Sequence, residues 1–153
     1  MTRVSVLRDV TMFWTLTRDD RRLFLEAALL TAFVWIGLRT ISFAALRRSL
    51  DGYCHRACTT SSDPLARIGW AVQAASRRIP GGRTCLLEAL AADVMLRRRG
   101  YEPLLQLGVR RQNDRTQPIT GHAWVVCNNC IVVGTVADLA DYTALPAPAV
   151  RSR

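Results

Sequence analysis

Gly81-Gly82-Arg83-Thr84-Cys85-Leu86-Leu87-Glu88-Ala89-Leu90 is the stretch on which the reading of this chain turns. The paired glycines form a breaker, and Thr84 suits an N-cap. An apolar-periodic run then continues to Arg97-Arg98-Arg99 before Gly100 stops it. Cys85 is thereby placed in the first turn of a helix, where the macrodipole and free backbone N–H groups favour a thiolate. Those donors could also hold an oxyanion. Further on, Gly121-His122-Ala123-Trp124-Val125-Val126 reads as a strand with an imidazole at its start. A cysteine at a helix N-terminus and a distant histidine on a strand is the layout of thiol nucleophile catalysis. A lone helical cysteine is more often a small buried hydrophobe, so the pairing carries the argument.

The 153 residues suffice for one domain with its own core. Half of them are hydrophobic, which excludes global disorder. A net charge of +9, supplied by arginine, implies attraction to acidic peptides, nucleic acid or an anionic membrane face without choosing among them. The first twenty residues mix Arg3, Arg8, Asp9, Arg18, Asp19 and Asp20 with apolar residues, unlike a secretory signal. With an odd count of five cysteines, the chain is expected to be cytoplasmic and to lack a disulfide framework.

Outward from the central stretch, residues 1–20 suggest a short strand or helix. From Asp19 or Asp20 as cap, a single helix is expected to about Leu50. Its uncharged centre, Ala27 to Leu38, is shorter than the roughly 20 apolar residues of a membrane span, which favours a buried helix over a membrane-peripheral or partner-binding one. Asp51 to Ser62 reads as a polar linker, and Asp63-Pro64 as a helix start. Leu65, Ile68, Ala71, Val72 and Ala75 form a helical stripe that ends before Ile79-Pro80-Gly81. Leu104 to Val109 is an expected strand and Arg110 to Thr120 a loop. Ala123 to Val126 and Ile131 to Val133 form a hairpin about Asn128-Asn129. Helices first and an antiparallel sheet last make an α+β domain. The expected divisions are an apolar helical region at 1–50, a linker at 51–62, a core at 63–145 and a flexible tail at 146–153.

Any general base for Cys85 must be His122 or the linker residue His55. For the carboxylate that would orient it, Asp138 fits best, Asp141 next, and Asp114 sits in the loop. Nucleotide-binding and zinc-protease motifs are missing from the sequence. Cys54, Cys58, Cys127 and Cys130, with His55, offer a competing set of structural zinc ligands. Because the first pair is loosely spaced and the second flanks a hairpin turn at Asn128-Asn129, adventitious thiols or a hairpin-end disulfide formed on oxidation are favoured over zinc. Arg47-Arg48 and Arg97-Arg98-Arg99 lack interleaved aromatics and read as helix ends, not as a nucleic-acid surface.

Several of these motifs together resemble a known family. They are Thr84-Cys85-Leu86 opening a helix, Arg97-Arg98-Arg99-Gly100-Tyr101 closing it, Leu107-Gly108-Val109-Arg110, and Gly121-His122-Ala123-Trp124-Val125. In this order they resemble the lasso-peptide biosynthesis leader peptidases, bacterial cysteine proteases of transglutaminase-like, papain-like fold. The resemblance extends over about residues 20–145. It implies Cys85 as nucleophile, His122 as base and Asp138 as the third member, with no metal or organic cofactor. Where the family often carries Glu and an Asp-Gly turn, this chain has Val126-Cys127-Asn128-Asn129-Cys130, so the acidic member is the least anchored. The resemblance implies a precursor peptide as substrate. It also implies a separate leader-recognition protein, as in the split form of these enzymes, and an ATP-dependent lasso cyclase. The contrasting reading is a non-catalytic scaffold that binds leader peptide, partner proteins or a membrane surface through residues 23–46.

Overall fold

The computed structural model describes residues 17–56, 64–79, 84–111 and 119–145, without the side chains of His55, Arg56 and Arg111. In order come α1 (Arg18–Thr40), α2 (Phe43–Arg56), α3 (Leu65–Ser76), α4 (Cys85–Arg97), β1 (Leu104–Arg111), β2 (Ile119–Cys127) and β3 (Cys130–Val133). A 3-10 turn (Leu139–Asp141) then leads to β4 (Thr143–Ala144). The strands form one antiparallel sheet in the order β3-β2-β1-β4. This is the α+β architecture expected from the sequence.

α4 is the centre of the fold. All ten residues from Leu87 to Leu96 are buried, so the helix is enclosed on every side by α1, α2, α3 and the sheet. Two acids are buried along it. Ser76 Oγ donates to Glu88 Oε1 at 2.6 Å, and Asp93 Oδ2 takes Arg97 at 2.6 Å and Arg47 at 3.2 Å. Arg97 also holds Asp51 at 2.7 Å, tying α2 to α4. At the far end Gly100, at φ 79°, terminates the helix as its sequence position suggests.

The expected long N-terminal helix is two helices. Thr17, not Asp19 or Asp20, caps α1: its Oγ1 accepts from Asp20 N–H at 3.2 Å and donates to Asp20 Oδ2 at 2.7 Å. The chain breaks at Ile41-Ser42, where Ser42 Oγ accepts from Ala45 N–H at 3.3 Å and begins α2. The fold-back is tight enough that a Cβ on Gly37 would stand 2.6 Å from Leu46 Cδ1. α2 then continues through Asp51 to Arg56, residues expected as linker, because Leu46, Leu50 and Cys54 supply an inward stripe.

In the sheet, β1 reaches Arg111 and β2 begins at Ile119, so the expected loop shrinks at both ends. The hairpin turn is as read: Asn128 (φ 50°) and Asn129 (φ 62°) take the left-handed pair that a two-residue hairpin needs. Val125 pairs Val133 and Val126 pairs Ile131, leaving Val132 opposite no residue of β2. α3 crosses here, and a Cβ on Gly69 would lie 2.5 Å from the Val132 carbonyl oxygen. The short β4, which the tail composition hid, pairs Gly108 with Ala144 and Val109 with Thr143. The expected elements at residues 1–16 and the tail from 146 lie outside the described residues.

Gly69→Ala is expected to destabilise the fold by about 1–3 kcal/mol, since backbone must move to admit the methyl. Gly52→Ala, in mid-helix with open space around it, should stabilise by about 0.5–1 kcal/mol. Urea denaturation midpoints of the two variants check both signs.

Candidate active site

Thr84 has extended backbone (φ −116°, ψ 146°), and its Oγ1 accepts from Leu87 N–H at 3.2 Å. Cys85 is therefore the first helical residue, as expected. The first intrahelical bond runs from Glu88 N–H to the Thr84 carbonyl at 3.2 Å, so the N–H groups of Cys85 and Leu86 precede it. The Cys85 side chain is half-buried and packs against the apolar core.

His122 lies on β2 opposite Gly108 of β1. Alternation along β2 sends Ala123, Val125 and Cys127 into the helix-packed core and turns His122 and Trp124 to the other face. There the Trp124 ring stacks at 6.0 Å from the imidazole and the Tyr142 ring tilts over it at 5.3 Å. A Cβ on Gly108 would strike the Trp124 ring at 2.7 Å, so this glycine makes room for the aromatic.

The imidazole Nε2 is 2.7 Å from the carbonyl oxygen of Gly134. A carbonyl only accepts, so Nε2 carries the proton of this bond, and in the neutral ring Nδ1 holds the free lone pair. Gly134 is at φ 85°, and a Cβ there would lie 2.6 Å from the Ala123 carbonyl oxygen and 2.7 Å from Trp124 Cβ. Conformation and space both require glycine, and the close approach is what brings its carbonyl to the ring.

Asp138 forms an ion pair with Arg110, whose guanidinium is 3.7 Å from Asp141 and 5.1 Å from the centre of the Tyr142 ring. The contacts thus run from Asp138 through Arg110 and Tyr142 to His122. Among the described residues no hydrogen bond joins Asp138 to His122, and none joins Cys85 to His122. A groove of about 650 Å³, lined by Val109, Arg110, Ile119, Asp141 and Thr143, opens beside this cluster.

Sequence reasoning missed Gly134, Arg110 and the role of Tyr142. A glycine after an apolar strand is visible in the sequence, but nothing there says which side chain its carbonyl will meet. Arg110 read as the start of a loop because its strand partner, Thr120, did too. Asp114, Cys58, the Gly81-Gly82 breaker and the His55 side chain lie outside the described residues.

Among the described residues, the fold sets Cys54 apart from the hairpin pair Cys127 and Cys130. Cys54 is buried at the end of α2, while Cys127 (buried) and Cys130 (exposed) face each other across the hairpin as free thiols. Among the described residues, no three metal-binding side chains gather. Burial pushes the Cys54 thiol up, as it does that of Cys127, so neither suits nucleophilic work near neutral pH.

Comparison with protein families matches residues 27–147 to the transglutaminase-like superfamily. No curated protein and no solved structure matches the chain.

The tautomer is directly measurable. In ¹⁵N-histidine-labelled protein carrying His55→Gln to remove the other imidazole, neutral His122 is expected to bear its proton on Nε2. The pattern should survive Asp138→Asn, because the partner is a backbone carbonyl; a ring protonated on Nδ1 would contradict the geometry.

Proposed function

Since the chain belongs to the transglutaminase-like superfamily, which includes cysteine proteases, we propose that it is a cytoplasmic cysteine peptidase. Its proposed task is to remove the leader from a ribosomally synthesised lasso-peptide precursor. The observation that carries this reading is Cys85 as the first residue of a capped, enclosed helix, with backbone N–H groups left over at that end. Such an end can hold the oxyanion of a tetrahedral intermediate.

In the proposed reaction Cys85 Sγ gives its proton to His122 and attacks the scissile carbonyl, with N–H groups at the start of α4 holding the oxyanion. His122 then protonates the departing amine, which becomes the new N-terminus of the core peptide. A water, deprotonated by His122, attacks the thioester, and the leader leaves with a free carboxylate while Cys85 is restored. The Gly134 carbonyl keeps the proton on Nε2 and so leaves Nδ1 as the basic atom. Asp138 serves as a positioning residue, acting on His122 through Arg110 and Tyr142. No hydrogen bond joins thiol and imidazole in the structure, so the proposed proton transfer requires the two side chains to be brought together when the precursor binds. Such contacts commonly tighten only in the substrate complex. Presentation of the precursor by a leader-recognition protein, and delivery of the freed amine to an ATP-dependent lasso cyclase, complete the proposal.

The second reading is a non-catalytic scaffold on the same fold, and the missing Cys85–His122 bond is the observation that favours it. Cys85→Ala is expected to slow release of the leader by roughly 10⁴-fold or more, and His122→Ala by roughly 10²–10⁴-fold, both with unchanged circular dichroism. Asp138→Asn should cost less than His122→Ala, and Asp141→Asn, on a carboxylate 65% exposed, little. Near-normal release by Cys85→Ala would defeat the peptidase reading.

Iodoacetamide near neutral pH separates the two readings independently of substrate. Cys85 is expected to be alkylated well ahead of exposed Cys130, with Cys54 and Cys127 slowest. A scaffold should label exposed Cys130 ahead of half-buried Cys85.

A further inference from the structure

One face of α1 is unused by the fold. The residues α1 buries are Leu23, Phe24, Ala27, Leu30, Thr31, Val34 and Gly37, which lie on a single side. Opposite them Leu25 (52% exposed), Leu29 (74%), Phe33 (51%) and Ile36 (52%) follow one line down the helix. This stripe is about 16 Å long. The same spacing continues backward to exposed Arg22 and Arg18, and exposed Arg39 follows the stripe at its other end, its guanidinium 4.4 Å from the Trp35 ring centre. Of the acids on α1, Asp20 is tied to Arg67 and Glu26 to Arg98 and Arg99. Asp19, exposed in the first turn, is the remaining one.

We propose that this face of α1 lies flat on an anionic lipid surface, with Leu25, Leu29, Phe33 and Ile36 in the acyl boundary and Arg18, Arg22 and Arg39 among the headgroups. The charge pattern selects the occupant. Two copies packed stripe to stripe would bring arginines against arginines at both ends, parallel or antiparallel, whereas anionic headgroups neutralise both ends together. Geometry selects the mode. α1 has the length and mean hydropathy (1.6) to cross a membrane. Crossing, however, would tear its seven buried residues out of the core, while lying flat uses only what the core leaves exposed. A groove of about 420 Å³ between α1 and α2, which Leu29, Phe33 and Tyr53 help to line, extends the apolar surface and has room for part of an acyl chain. This inference does not depend on the peptidase reading.

The test is co-sedimentation of the full chain with phosphatidylcholine vesicles, with and without phosphatidylglycerol. Binding is expected only when phosphatidylglycerol is present, and it should weaken as salt rises. Leu29→Ser with Phe33→Ser, both at exposed positions, should weaken binding about tenfold or more. Arg18→Gln with Arg22→Gln should weaken it and flatten the salt dependence, with circular dichroism unchanged in every variant. Absence of binding, equal binding to both vesicles, or undiminished binding by the Leu29/Phe33 variant overturns the proposal. So does self-association in sedimentation velocity that this same variant abolishes.

Discussion

The complete enclosure of α4 is the constraint on which the remaining structure depends. A helix buried on every side has its position set by its neighbours, and here these are α1, α2, α3 and the β1–β3 part of the sheet. The two acids within it make that enclosure exacting. Burial pushes the Asp93 carboxyl above its ordinary range, against the pull of Arg97 and Arg47. Glu88 is met by Ser76 from α3. Such contacts add little net stability, but losing one partner would strand a buried charge. They therefore specify how α2 and α3 seat against α4 more than how strongly they do so.

That seating has a consequence at the helix start. Ten successive residues are held, and Cys85 stands two residues ahead of them, beside the cap made by Thr84. The imidazole is held by different means. Trp124 and Tyr142 flank it, and the carbonyl of Gly134 fixes its proton. One residue is positioned by core packing and the other by a backbone close approach on the opposite face of the sheet.

The N-terminal helix shows the same economy in reverse. α1 contributes one side to the core and leaves a comparably apolar side in solvent, so its overall hydropathy reflects two different surfaces. Composition alone merges these into one apolar segment. Only the packing of α3 and α4 against α1 tells them apart.

Sequence alone determined the α+β order, the Thr84-capped start at Cys85, the stop at Gly100 and the left-handed Asn128-Asn129 turn. Each of these is local: a cap, a glycine or a short periodic run acts within a few residues of itself. It did not reveal the break at Ser42, because Ser is tolerated within helices and the fold-back is set by Leu46 meeting Gly37, a contact nine residues apart. It suggested Asp138 as the imidazole's carboxylate from order along the chain. Only the tertiary structure decided that Arg110 takes that carboxylate and that a backbone oxygen of Gly134 meets the ring. Pairing between strands brings these groups together, and a backbone carbonyl leaves no mark of its own in the letters of a sequence.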